Sequence, residues 1–240
     1  LVPLEDEEIS KEMLSAFQKA GIECRVGVKV KGAKKARGGV SVDTEQGEVW
    51  AHQLLVAVGR SPRSKDIGLE KVGVETHPNG FIKVDEWMQT SAEGIHAIGD
   101  VVGGFLLAHA AAHEGMTAVE DIAGQRVAPM EQDLVTRCTY SHPQIASVGL
   151  TEKQAKEKGR EVTTGKFPFS AVGRAIIHGE TGGFANRVAD PQTGQPVGAT
   201  SVRATATPTT HAPAVAHRCT GRPGQNGRQR NAAPRAPAGT

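Results

Sequence analysis

Residues 95–115, IHAIGDVVGGFLLAHAAAHEG, run a short apolar strand into Gly99-Asp100, cross the pair Gly103-Gly104 and open an alanine-rich helix. A strand that ends on an acid and feeds a helix N-terminus forms half of a ligand site. The carboxylate accepts hydrogen bonds, while the unpaired N–H groups of the first helical turn donate them. The helix is predicted to run from about Leu106 to Ile122.

Upstream, LEDEEISKEMLSAFQKAG places acids in the first turn, spaces Ile9, Met13, Leu14 and Phe17 on one face and stops at Gly21, which predicts an amphipathic helix. ECRVGVKV, GGVSVDT and GEVWAHQLLVAVG are predicted strands, the last ending at Gly59. The turn-rich GRSPRSKDIGLEKVGVETHPNG then leads back to FIKVDEWMQT and the opening stretch. The alternation of strands and helices specifies an α/β unit.

Downstream the pattern changes. LVTRCTYSHPQIASVG has antiparallel strand character, TEKQAKEKG carries a capping box (Thr151 with Gln154) and a terminating Gly159, and EVTTGKFPF resumes strand character. A separate unit over roughly 132–186 is expected.

After Phe184 the chain has no Leu, Ile, Met, Phe, Trp, Tyr, Lys or Glu, a composition expected of a low-complexity, disordered tail over 187–240. This tail holds seven Arg and one Asp, so the overall +2 conceals a body of about −4 and is no nucleic-acid signature. The tail also lacks aromatic residues for stacking on bases, which disfavours a polyanion-binding reading. Cys24, Cys138 and Cys219 show neither C-x-x-C nor zinc-ligand spacing, and the expected setting is reduced and cytoplasmic. No apolar run approaches a membrane span. His109 and His113 stand four apart, a spacing that suits zinc. However, Ala110 replaces the Glu of H-E-x-x-H, and helix packing is the better account.

Taken together, LLVAVGRSP, VDEWMQTSAEGIHAIGDVV, LLAHAAAHEG, YSHPQIASVGLTE and FPFSAVGRAIIHGETGGF, in that order, resemble the flavin-dependent pyridine nucleotide disulfide oxidoreductases. The L-A-H run at 107–109 and the Tyr140 segment are more similar to the branch that oxidises dihydrolipoamide than to those that reduce glutathione disulfide or mercuric ion. The resemblance implies an α/β flavoprotein of two dinucleotide-binding domains, of which this chain is the C-terminal portion. Residues 1–59 would end the NAD domain, 60–131 would be the returning segment of the FAD domain, and 132–186 would begin an α+β dimerisation domain.

Carried over by position, the resemblance implies that Asp100 bonds the ribityl chain of FAD and that Leu106, Leu107, Ala108 and His109 turn backbone groups to the flavin ring. It also implies that Val30 and Gly59 touch NAD. The implied partners are a second copy of the chain and the lipoyl domains of 2-oxo acid dehydrogenase complexes, with neither nucleic acid nor membrane among them. Family members usually carry Lys where this chain has Ala110.

The family's hardest chemistry is missing. The 240 residues contain no G-x-G, no cysteine pair, and no Glu in the tail to form the family's His-Glu acid-base pair, so no catalytic residue is assigned. The expectation is a chain that folds poorly and is inactive by itself. The alternatives are another flavin disulfide reductase or a non-catalytic dimerisation fragment. RVADPQTGQPVG still resembles the family's next strand and hairpin, and the switch of composition after it predicts a change of reading frame between about Asn186 and Ala199.

Overall fold

The computed structural model describes residues 1–125, 128–204 and 206. Its first helix, α1 (Glu7–Lys19), forms where the amphipathic pattern predicts it, with Glu7 and Glu8 in the first turn and Lys19 in the last, each charge complementing the helix dipole. An antiparallel meander follows, β1 (Val30–Ala36), β2 (Gly39–Thr44) and β3 (Gly47–Ala51), in the order β1-β2-β3.

Two predicted strands depart from expectation. Residues 23–29 of ECRVGVKV lie outside any strand, and β1 begins only at Val30. Residues 53–59, the apolar half of GEVWAHQLLVAVG, are likewise in no sheet: Leu55 is 89% and Val58 92% exposed. A buried strand needs a neighbour on each side to satisfy its N–H and C=O groups, and no described strand pairs with this run.

The opening stretch is also less regular than a strand. Its segment makes a single antiparallel bridge, Gln89 to His96, before one 3₁₀ turn over Gly99–Val101. Then α2 (Ala108–Ile122) takes the predicted course, burying Ala110, Glu114, Thr117 and Ala118 on one side.

The remainder is a five-stranded antiparallel sheet, ordered β4-β5-β8-β7-β6, from β4 (Arg137–Thr139), β5 (Gln144–Gly149), β6 (Thr163–Pro168), β7 (Phe184–Ala189) and β8 (Pro196–Arg203). Short helices α3 (Glu152–Glu157) and α4 (Gly173–Ile177) punctuate it. Both halves of the predicted capping box are present, Gln154 N–H to Thr151 Oγ1 at 3.2 Å and Thr151 N–H to Gln154 Oε1 at 3.0 Å.

This sheet corrects the expected tail boundary. It continues past residue 186, and β8, built wholly from the segment assigned to the tail, is its central strand, with Val202 fully buried. Val188, Val197 and Val202 supply the buried apolar side chains of RVADPQTGQPVGATSVR. A small-residue strand buries well when its neighbours supply the bulk, and close approach is built in: a Cβ on Gly198 would meet Leu150 O at 2.0 Å. The β7–β8 pairing spans the window of the expected frame change, Asn186 opposite Thr200 and Val202 opposite Phe184, with one register shift between Val188 and Ala189. Residues 207–240, with His211, His217 and Cys219, lie outside the described residues.

α1 unites the two halves. Ile145, Val202 and Phe184 form one cross-strand row over β5, β8 and β7, and Ile9 and Met13 pack onto it. Lys166 of β6 reaches back to Glu8 at 3.1 Å. No helix among the described residues is long and apolar enough to cross a membrane.

Candidate functional site

The site is built where the 3₁₀ turn meets α2. Gly99 has a positive φ of 75°, open to glycine without steric cost, and its N–H donates to Glu114 Oε2 at 2.7 Å. Glu114 projects from the buried side of α2, so its carboxylate ties the turn to the helix. Asp100 is left with its side chain 45% exposed, its carboxylate accepting a hydrogen bond from the guanidinium of Arg60. An exposed pair of this kind adds little stability and leaves the carboxylate accessible.

Between Asp100 and α2 the backbone turns through Gly103, Gly104 and then Leu106, the last at φ 53°. Leucine in the left-handed region costs about 1–2 kcal/mol, a strain that the surroundings must hold in place. The result is an open helix start. Leu107, the N-cap, makes no side-chain cap bond, and the first bond along the helix axis is Ala111 N–H to Leu107 O at 3.0 Å. The N–H groups of Ala108, His109 and Ala110 therefore have no partner within the helix and stand at the positive end of its dipole.

The histidine side chain points elsewhere: His109 Nε2 lies 2.8 Å from Thr136 O, so backbone rather than imidazole is presented at the helix start. A cavity of about 130 Å³ lies beside it, lined by His109, His113, Met130, Glu131, Leu134 and Val135. Among the described residues, no three His, Cys, Asp or Glu side chains are grouped to hold a metal. Ala110, where the family resemblance leads one to expect Lys, is buried.

Of the residues matched to NAD, Val30 is the exposed first residue of β1. Gly59 ends the unpaired run at φ 117°, with open space where a Cβ would stand. The peptide after Gly59 carries Arg60, so one residue and one ion pair join the Gly59 position to Asp100.

Arg60 and Glu114 are the two site residues that sequence reasoning missed. Arg60 sits in the quoted LLVAVGRSP, but nothing in its neighbours specifies a partner 40 residues on. Glu114 did carry a signal, because it falls on the same helical face as Ala110, Thr117 and Ala118, where an acid needs a polar partner.

Near the far end of α2, His96 Nε2 lies 2.9 Å from Asp121, and Gln89 donates to the same carboxylate at 2.8 Å. The hydrogen bond from His96 holds the Asp121 carboxyl below the usual carboxylate range.

A carboxylate beside a row of free N–H groups suits a ligand with hydroxyls at one point and developing negative charge at the next. A flavin with its ribityl chain satisfies both demands.

Comparison with known proteins gives the family. The pyridine nucleotide-disulphide oxidoreductase profile matches residues 1–115, and the dimerisation-domain profile of the same family matches residues 135–236. Dihydrolipoyl dehydrogenase from Bacillus subtilis is 46% identical over 80% of this chain and 42% of its own length. The mitochondrial dihydrolipoyl dehydrogenase of Canis lupus familiaris is 40% identical over 81% of this chain and 39% of its own. Among solved structures, LpdA from Mycobacterium tuberculosis superposes with a TM-score of 0.83 at 26% identity, covering 90% of this chain and 47% of that one. The chain thus spans less than half the length of these relatives.

Proposed function

The chain belongs to the pyridine nucleotide-disulphide oxidoreductase family, and on that premise we propose that it supplies one wall of the flavin site, the edge of the NAD site and the dimerisation sheet of an enzyme that oxidises dihydrolipoamide. The observation that carries this reading is the junction itself, an exposed Asp100 set beside the uncapped start of α2 by a strained Leu106.

In this reading residues 1–59 serve the NAD side, 60–131 the flavin side, and the sheet from 132 onward the contact with a second copy. FAD, when bound, supplies the electron relay between a dithiol and NAD. Asp100, its carboxylate held by Arg60, would accept hydrogen bonds from the ribityl hydroxyls. The N–H groups of Ala108 and His109 and the turn at Leu106 and Leu107 stabilise negative charge at the edge of the ring. Gly59 leaves room for a planar nicotinamide to approach backbone, and Val30 offers it an apolar edge. The cysteine pair that takes electrons from dihydrolipoamide, and the Gly-rich cradles for the two pyrophosphates, have no counterpart in residues 1–240. By itself the chain therefore does not turn over dihydrolipoamide. The setting we propose is cytoplasmic, with a homodimer docking on lipoyl domains.

The test is a chimaera in which residues 1–203 replace the matching part of the Bacillus subtilis relative. It is expected to retain FAD and to reduce NAD with dihydrolipoamide, and Asp100→Ala is expected to lose the flavin. A chimaera that folds without holding FAD, or whose flavin is indifferent to Asp100→Ala, would overturn the reading.

A further inference from the structure

The four positions read as flavin-facing, Leu106 to His109, are gripped at both ends by one dipeptide outside their own unit. Just before them, the Phe105 ring lies under the guanidinium of Arg137, 5.0 Å from centroid to carbon. At their far end, His109 Nε2 meets Thr136 O at 2.8 Å, and because a carbonyl only accepts, this nitrogen carries the proton. Arg137 opens β4 at the edge of the five-stranded sheet, and Thr136 immediately precedes it.

Arg137 is itself held from a third direction. Its Nη2 donates to Gly149 O at 3.5 Å, and its Nε, buried without a hydrogen-bond partner among the described residues, stands 3.7 Å from Glu5 Oε1 in an ion pair. The Glu5 side chain, only 7% exposed, accepts a hydrogen bond from Ser147 Oγ at 2.8 Å, and Ser147 is the cross-strand partner of Arg137. The carboxylate therefore bridges a β4–β5 pair from its place two residues before α1, whose Ile9 and Met13 are seated on the same sheet. The other oxygen, Oε2, is buried without a hydrogen-bond partner among the described residues, so removing Arg137 would leave a poorly compensated buried charge.

We propose that Arg137 is a positioning residue that couples the seating of α1 on the dimerisation sheet to the shape of the turn 105–109. This inference rests on the flavin-facing reading of that turn. A left-handed leucine persists only where its surroundings over-determine it, and the grips on Phe105 and His109 stand on either side of Leu106. Only a planar, forked cation can lie flat on Phe105 while reaching both Glu5 and Gly149 O. Lysine, a single point charge, cannot do all three.

The experiment is amide hydrogen exchange on the full 240-residue chain without flavin, comparing wild type with Arg137→Gln, Arg137→Lys, Glu5→Gln and, as an exposed ion-pair control, Lys156→Met. The reporters are the amides of Ala111, Ala112 and His113, which close the first turn of α2 onto the carbonyls of Leu107, Ala108 and His109. Their exchange is expected to quicken about tenfold in Arg137→Gln. It is expected to quicken detectably in Glu5→Gln, whose polar contacts are with Ser147 and Arg137 rather than with the turn, and to be only partly restored in Arg137→Lys. Lys156→Met is expected to leave 111–113 unchanged. If Arg137→Gln does not fold, Glu5→Gln and Arg137→Lys carry the comparison. The proposal is overturned if 111–113 exchange as in wild type in these variants, if exchange rises uniformly along the chain, or if the wild-type amides 111–113 are already unprotected. Since no flavin is present, such a failure is distinct from failure of the chimaera to hold FAD.

Discussion

Leu106 and Asp6 show how two single residues hold strain for different reasons. Leu106 carries its side chain at φ 53°, where glycine is at ease and a β-branched residue is not. Leu106→Gly trades lost packing against relieved strain and is expected to stay within about 1 kcal/mol of wild type, whereas Leu106→Val is expected to cost about 2–3 kcal/mol, well beyond the ~0.8 kcal/mol of its missing methylene. Urea denaturation of the two variants checks the order, and equal losses would show that Leu106 is unstrained. Asp6 is strained electrostatically: burial, with Glu5 and Glu152 adding repulsion, pushes its carboxyl above the ordinary range despite a hydrogen bond from the Glu152 N–H. A carboxyl raised in the folded state weakens the fold above its unfolded pKa, and the loss is recovered as pH falls through the folded value. Asp6→Asn, which keeps an acceptor for Glu152, is therefore expected to stabilise the chain near neutrality and to have no effect in acid below both pKa values. Denaturation midpoints at the two pH values would settle the sign.

The elements differ in how far their making is local. α1 buries Ile9 completely and Met13 to 2% exposure against the row Ile145–Val202–Phe184, so Met13→Ala is expected to cost about 2–5 kcal/mol and to loosen the sheet as well as the helix. Calorimetry showing a single shifted transition would confirm that α1 and the sheet unfold together, and a separate early transition would refute it. α1, α2 and the capped α3 were all legible, because a helix satisfies its own backbone and advertises its buried face at a 3.6-residue period. Strands are defined by partners. The residues of 53–59 have every intrinsic preference for a strand and no neighbour to pair with, while β8 looks too poor in bulk to hold a core and becomes central through Phe184 and Ile145 on either side. The junction at Asp100 was legible for the same local reason as the helices. Its long-range supports, Arg60 and Arg137, were not, since each depends on where a distant segment is brought by the fold.

At the scale of the whole molecule, the charged and polar surface is interrupted by the run from Leu54 to Val58, four large apolar side chains on a backbone that no sheet receives. Unpaired strand edges recruit whatever strand is available, and at high concentration that is another copy of the same run. The chain alone is therefore expected to self-associate with increasing concentration, beyond any dimer formed through its five-stranded sheet. Lysines blunt such edges because pairing would bury their charge. The double variant Leu55→Lys/Val58→Lys is expected to suppress the larger species, and because neither side chain contributes to the five-stranded sheet, its circular dichroism is expected to match wild type. Sedimentation velocity over a concentration series separates the cases. If large species disappear and a dimer remains, the run 53–59 is the adhesive edge and the sheet is the specific contact. If the double variant associates as before, the exposed apolar residues of the dimerisation unit, Phe167, Ile176 and Ile177, are responsible instead.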